Sequence, residues 1–352
     1  MHRHGPVRTT AATLLTDARR TRPPTHRPST SERPDRLAHL VFASLAACSV
    51  LILGFVVAYV LWRAWPAFTA NGFSYLGNQD HPGLGRELSY ASAGHPAGVP
   101  YRALHAWPAI YGTLLTTGGA ILVGLPFSLL ASIFVAELAP DWLARLMEPL
   151  IRIMAAVPSV VWGLFGLLVL APFIERVLIS DDLRARYAPV VGLRGENILL
   201  GMLVLTAMTV PFQIAIFTDA LRSVPVAWRE GGRALGLDAW RATLKISLPV
   251  IRPAVATGVV LATGRAIGEG IALSMTTGEV AFVPNPLDRL VFFLEPAHPL
   301  ASVLVDNAAE GVDQPIFAAD LFSFAALILV SALALMLAVR VIVAPVRAKA
   351  LL

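Results

Sequence analysis

The chain has one cysteine, Cys48, in 352 residues. A lone thiol excludes an intrachain disulfide and any metal site built on cysteine pairs. Cys48 lies in an apolar run and reads as a small lipid- or helix-facing residue. Charge is scarce as well: Asp, Glu, Lys and Arg make up 14% of the chain, against about 25% in soluble domains. The Gly-x-x-x-x-Gly-Lys-Ser/Thr phosphate loop is missing, so hydrolysis of ATP by that loop is not expected of this chain. The histidines are scattered, and no catalytic residues, metal set or internal repeat stand out. The expectation is a protein that is not an enzyme.

Hydrophobic residues account for 56% of the sequence, and the mean hydropathy is +0.67. These values describe an integral membrane protein. The formal charge of +5 does not point to nucleic acid, because the basic residues sit in loops and in the N-terminal arm, where orientation signals lie. Residues 1–38 are rich in Arg, Thr and Pro, lack apolar periodicity and read as a disordered basic cytoplasmic arm. Arg19-Arg20 resembles an export signal, but the apolar run that follows is too long for a signal-peptide core and reads as an uncleaved anchor. Six apolar runs approach or exceed the roughly 20 residues that span a bilayer. They cover about 39–62, 109–136, 150–173, 197–218, 250–275 and 318–344. The fold class is therefore all-α, a polytopic membrane protein with six transmembrane helices.

As regions, these are a first membrane helix over 39–64, an extracytoplasmic loop over 65–108, a five-helix core over 109–345 and a tail over 346–352. The core carries a cytoplasmic loop, 221–249, and a second extracytoplasmic loop, 276–317. With both termini inside, 19 Lys and Arg residues lie on the inner side and eight on the outer, with Arg265 within a span. That bias is the positive-inside pattern. Both long outer loops are candidates for contact with an extracytoplasmic partner; the alternative is that they merely connect. Arg152, Asp219 and Arg222 fall at the inner boundary, where Arg152 would snorkel to the interface.

The most informative stretch runs from Trp228 to Gly278. Its first half is polar and basic; its second half is an apolar helix carrying Arg265 and Glu269. Four residues apart, these two share a helix face and can pair. Charges at membrane depth usually face a bundle interior or a watery cavity, and a guanidinium fork suits an oxyanion such as phosphate or sulfate. The other reading is a structural ion pair. Gly258, Gly264, Gly268 and Gly270 surround the two and read mainly as helix-packing residues.

The polar half follows a spaced pattern: Glu230-Gly231-Gly232, three residues, Gly236, nine residues, Ile246, one residue, Leu248-Pro249. It resembles the Glu-Ala-Ala loop of the membrane subunits of ATP-driven (ABC) importers, with glycine at both alanine positions. From about Leu40 the chain is similar to the PstC-type permeases of the phosphate importer. The stretches that carry this are IYGTLLTT (110–117), AVPSVVWGLFGLLVLAPF (156–173), VPFQIAIFTDALRSVP (210–225) and GRAIGEGIALSMTTG (264–278). Gly270 stands where those permeases usually have threonine. The resemblance implies a permease of the type I importer kind in a bacterial inner membrane, with Glu230, Gly231, Gly232, Gly236, Leu248 and Pro249 coupling to ATPase subunits and Arg265 and Glu269 on the substrate path. It implies a PstA-like second permease, two PstB-like ATPase subunits using ATP and Mg2+, a PstS-like phosphate-binding protein outside, and no cofactor in this chain. Alternatives are a permease for sulfate or molybdate, the sister PstA-like subunit, or a stand-alone secondary transporter, which the Glu230–Pro249 pattern argues against.

The orientation is testable. A cysteine probe at Ala348 is expected to be protected from an impermeant external reagent, and one at Gly94 to react. Labelling of both, or the reverse, would sink the topology.

Overall fold

The computed structural model describes residues 32–77, 105–280, 282–308 and 315–350. Most of the arm, the probe position Gly94 within the first outer loop, and the last two residues of the tail lie outside the described residues. The chain divides into two units, Met1–Phe55 and Val56–Leu352. In the first unit, helix α1 (Glu32–Asn71, which continues into the second) exposes Leu40, Phe42, Leu51, Leu53 and Phe55. Apolar residues on every side are what a helix needs where its surroundings are hydrocarbon.

The second unit is built on two helices, α2 (Trp107–Ile133) and a later one that becomes α7 (Ile198–Arg222), whose mutual packing is the most extensive in the molecule. Between them run α3 (Asp141–Ala156), α4 (Ser159–Phe165), α5 (Ala171–Leu178) and α6 (Asp181–Tyr187). After α7 come α8 (Val226–Ala234), α9 (Ala239–Ala242), α10 (Leu248–Ile267), α11 (Ile271–Ser274), α12 (Leu300–Asn307) and α13 (Pro315–Ala350). Among the described residues, six helices are long and apolar enough to cross a membrane.

Helix α7 is the most deeply buried of these spans. Leu200, Val204, Leu205, Met208, Phe217 and Leu221 are inaccessible, as are the polar Thr209 and Gln213. Its start is set by Asn197, whose side-chain oxygen accepts from the Leu200 N–H at 3.0 Å, the usual N-cap bond. Close packing needs a missing side chain on the facing helix. A Cβ at Gly258 of α10 would stand 2.6 Å from the Phe217 ring. Several polar groups are absorbed locally: Thr113, Thr116, Thr206 and Thr209 each donate to the carbonyl four residues back. Ser128 on α2 donates to Gln213 Oε1 on α7 at 2.7 Å.

Three spans differ from the sequence expectation. The first was expected over 39–62, with a loop from 65; the apolar crossing is Ala38–Leu76. The third was expected over 150–173; the apolar crossing is Ser159–Leu178. Pro158 is the reason, since proline forces its predecessor out of the helical region, and Val157 sits at ψ 130°. The fifth was expected to reach residue 275, but α10 stops at Ile267. Gly268 and Gly270 bracket the break.

Part of the stretch 276–317, expected as an outer loop, packs against the core. Thr276, Thr277, Glu295, Ala297 and His298 are buried, and Leu300 and Val303 pack with Tyr75, Phe317 and Phe324. The Leu300 N–H donates to Thr113 Oγ1 at 2.9 Å, which anchors the start of α12 on α2.

The Gly258–Phe217 contact predicts non-additive mutations. Gly258→Leu should cost about 1–3 kcal/mol through overpacking, and Phe217→Ala about 3–5 kcal/mol through the cavity left behind. Together they should cost less than the sum, because the new leucine fills the vacated ring space. Heating the chain in detergent and measuring the folded fraction by size-exclusion chromatography checks this; additive losses would disprove the contact.

Candidate coupling and translocation site

Helix α8 ends in a closed bend. The Leu237 N–H donates to the Gly232 carbonyl at 3.1 Å and the Gly236 N–H to the Arg233 carbonyl at 2.9 Å, the paired bonds of a Schellman cap. This cap needs a left-handed residue, and Gly236 supplies it at φ +86°. Asp238 then caps α9 by accepting from the Arg241 N–H at 2.6 Å. The spaced pattern acquires a physical meaning: a Cβ at Gly232 would lie 2.4 Å from Cδ1 of Ile246, so these two motif positions occupy one contact. A Cβ at Gly231 would meet nothing. Leu248 packs with Ile133, Leu221 and Ile251, and Pro249 stands in the first turn of α10, where its missing N–H costs nothing.

The outer surface of this element is apolar in part. Trp228, Leu235 and Trp240 are exposed, Leu235 at 87%, and Glu230 is exposed beside them. Exposed apolar side chains beside charged ones are candidates for contact with another protein or with the membrane.

On the inner surface the sequence reading missed a residue. Glu137 closes the π-helical turn Phe134–Leu138 that follows α2. Its carboxylate accepts from Arg229 of α8 at 2.8 Å and from Ser247 at 3.3 Å, and its side chain is 4% exposed. The signal available was a lone carboxylate at the end of an otherwise uncharged apolar run. Nearby, Arg152 pairs with Asp219 at 3.2 Å and Arg222 with Glu148. Arg152 therefore ties α3 to α7 instead of simply reaching for the interface.

Arg265 lies in the last turn of α10, half-buried, with its guanidinium carbon 5.8 Å from the centroid of the Phe212 ring on α7. Glu269 is not on that helix. The expected i, i+4 relation is broken by the stop at Ile267, and among the described residues no ion pair joins Arg265 to Glu269. Glu269 Oε1 instead accepts from the Ala272 N–H at 3.3 Å, capping α11. The sequence reading thus places both residues correctly near one turn but assigns them the wrong mutual contact. Gly270 is a tight site: a Cβ there would fall 2.6 Å from the Ala301 carbonyl oxygen and 2.6 Å from a Val305 methyl. Threonine does not fit this position unless α12 moves.

Beyond α11 lies a polar knot. Ser274 donates to Asp306, whose other oxygen is 2.8 Å from His298 Nε2. Burial raises the Glu279 carboxyl above its usual range, and the nearby Asp306 carboxylate adds to the shift. Burial likewise lifts Glu295 to about 7; the Asn285 N–H opposes this and Asp288 reinforces it. The stretch read as an outer loop therefore includes one fully buried carboxyl, Glu295.

Comparison with known proteins follows the same lines. Residues 128–348 match the family of binding-protein-dependent transport system inner membrane components. The phosphate transport system permease protein PstC of Pasteurella multocida is 30% identical over 273 residues, covering 75% of this chain and 78% of that protein. PstC 1 of Mycobacterium tuberculosis is 34% identical over 230 residues, covering 62% and 67%. The probable ABC transporter permease protein YqgH of Bacillus subtilis is 35% identical over 182 residues, covering 51% of this chain and 55%, about half, of that relative. A chain in the crystal structure of a bacterial alginate ABC transporter, in complex with an alginate pentasaccharide-bound periplasmic protein, superposes with a TM-score of 0.54 over 87% of this chain and 94% of that one. At 15% identity this likeness is one of fold. With the family match covering more than half of its length, the chain belongs to the binding-protein-dependent transport system inner membrane component family, a multi-pass membrane protein.

Proposed function

We propose that this chain is a PstC-like permease subunit of an ATP-driven importer that carries inorganic phosphate into the cytoplasm. The observation that carries the reading is the docking element: a Schellman-closed bend presenting Trp228, Leu235 and Trp240 outward on the Glu230–Pro249 pattern. Such a face suits contact with another protein, and the inner-side bias of basic residues supports a cytoplasmic position for it and for both termini. Its partner there is an ATPase subunit, which binds ATP and Mg2+. A PstA-like permease lies alongside in the membrane, and a phosphate-binding protein docks from outside. The PstC relatives support phosphate as the substrate.

Arg265 is the residue assigned to the substrate. It is half-buried, has no carboxylate partner among the described residues, and stands over an aromatic face. A guanidinium left with its fork open can hold two phosphate oxygens at once, whereas an ammonium acts as a point charge. Glu269 shapes the adjoining turn by capping α11. Gly270 removes a hydroxyl from this turn, so phosphate is to be compared directly with sulfate and molybdate.

Hydrogen bonds to charged groups contribute about 1.5–3 kcal/mol, so Arg265→Gln should lower phosphate uptake roughly 10- to 100-fold at unchanged assembly. Arg265→Lys should retain part of it. Uptake of labelled phosphate in membranes with matched complex levels decides. Wild-type uptake by Arg265→Gln would show that the residue is structural, and faster sulfate or molybdate uptake would reassign the substrate.

The bend gives a second expectation. Proline at position 236 would need φ near −65°, so Gly236→Pro should abolish ATPase co-purification and uptake while the chain stays in the membrane. Gly236→Ala, which costs about 1–2 kcal/mol at positive φ, should lose only part. Normal ATPase yield with Gly236→Pro would mean that this loop is not the coupling element.

A further inference from the structure

We propose that Glu137 is a positioning residue for coupling: a buried strut that transmits movement of the docking element to α2, and through α2 to α7. The proposal rests on reading the Trp228–Trp240 surface as the ATPase dock. Its basis is the geometry behind that surface. Trp228 faces outward, while its neighbour Arg229 turns inward to meet Glu137 at 2.8 Å. Both ends of the docking element reach the same carboxylate, Arg229 from α8 and Ser247 from the start of α10.

Two uncommon turns make this meeting possible. Glu137 stands in the π turn Phe134–Leu138, closed by the Ala139 N–H on the Phe134 carbonyl at 2.7 Å, and Ser247 ends a second π turn, Thr243–Ser247. Each π turn inserts a residue into the helical ladder and re-aims the side chains beyond it, and such bulges concentrate at functional sites. Here both re-aim their terminal polar residue at the other. The side chains of Glu137 and Arg229 are 4% and 18% exposed, so the pair is little screened by solvent and salt. Removing one partner would leave the other's charge buried and uncompensated. The route onward is short, because α2 packs along α7 more extensively than any other pair of helices in the molecule. Force applied at Trp228 thus reaches the centre of the permease through one carboxylate.

The test uses the assembled complex in nanodiscs. Hydrogen–deuterium exchange is followed with and without a non-hydrolysable ATP analogue, in peptides covering 226–242 and 130–138. In the wild type both segments are expected to respond to nucleotide. In Glu137→Gln the docking segment should still respond, the 130–138 segment should not, and phosphate uptake per ATP hydrolysed should fall about tenfold. The exchanged pair Glu137→Arg with Arg229→Glu should restore part of the response and of the uptake. An undiminished response at 130–138 in Glu137→Gln would overturn the strut. So would a parallel loss of ATPase yield and of both responses, which is the mark of a merely structural pair. If residues 226–242 fail to respond in the wild-type complex, the docking reading itself falls, independently of Glu137.

Discussion

The structure depends on how closely α2 and α7 approach. In lipid the solvent is as apolar as the side chains, so helices gain little from hiding hydrophobic surface from one another. What holds them is short-range packing, and packing is lost steeply with distance. The small and hydroxylated residues of the pair answer this constraint. Threonines fold their hydroxyls back onto their own helix, Ser128 reaches Gln213 across the gap, and the Phe217 ring fills the space that Gly258 leaves open on the next helix. The other elements take their positions from this pair: α10 and α3 lean on α7, and α12 is anchored on α2 through Thr113.

On that frame the two functional regions are built from opposite kinds of chemistry. The docking element is strongly hydrogen-bonded, and each turn is closed by its own cap. Its shape survives exposure because its backbone groups are satisfied internally. The Arg265 turn is the reverse. The helix stops, two glycines follow within three residues, and α11 is a single turn capped by Glu269. A hydrogen-bonded, capped bend and a short turn between glycines thus stand on the same frame. Glu137 sits between that bend and the frame.

Much of this was legible in advance. The apolar runs gave the crossings, because their length and lack of charge leave few other environments. The Glu230–Pro249 pattern is local, and local chemistry is readable: glycine at 236 suits a bend and proline at 249 a helix start, while the cap by Asp238 was not read. The close contact of Gly232 with Ile246 was not legible, because it joins residues on two different elements. The misreadings arose where a local rule met a tertiary one. Arg265 and Glu269 satisfy the i, i+4 spacing, yet the helix they were assigned to ends between them.

What the sequence determined by itself is the class of the protein, the number of its membrane crossings, its spaced loop and the chemistry available in each segment. These follow from composition and short-range rules that act within a turn or two of helix. Only the tertiary structure decided which groups meet. It brought Ile246 onto Gly232, Glu137 under Arg229 and Ser247, and Ala301 so close to Gly270 that a threonine has no room. It also packed part of the stretch 276–317 against the core, where Glu295 is buried and its carboxyl is raised above the usual range. The reason is common to all of them: burial and pairing depend on chain segments far apart in sequence, and no local pattern records the distance at which they come to rest.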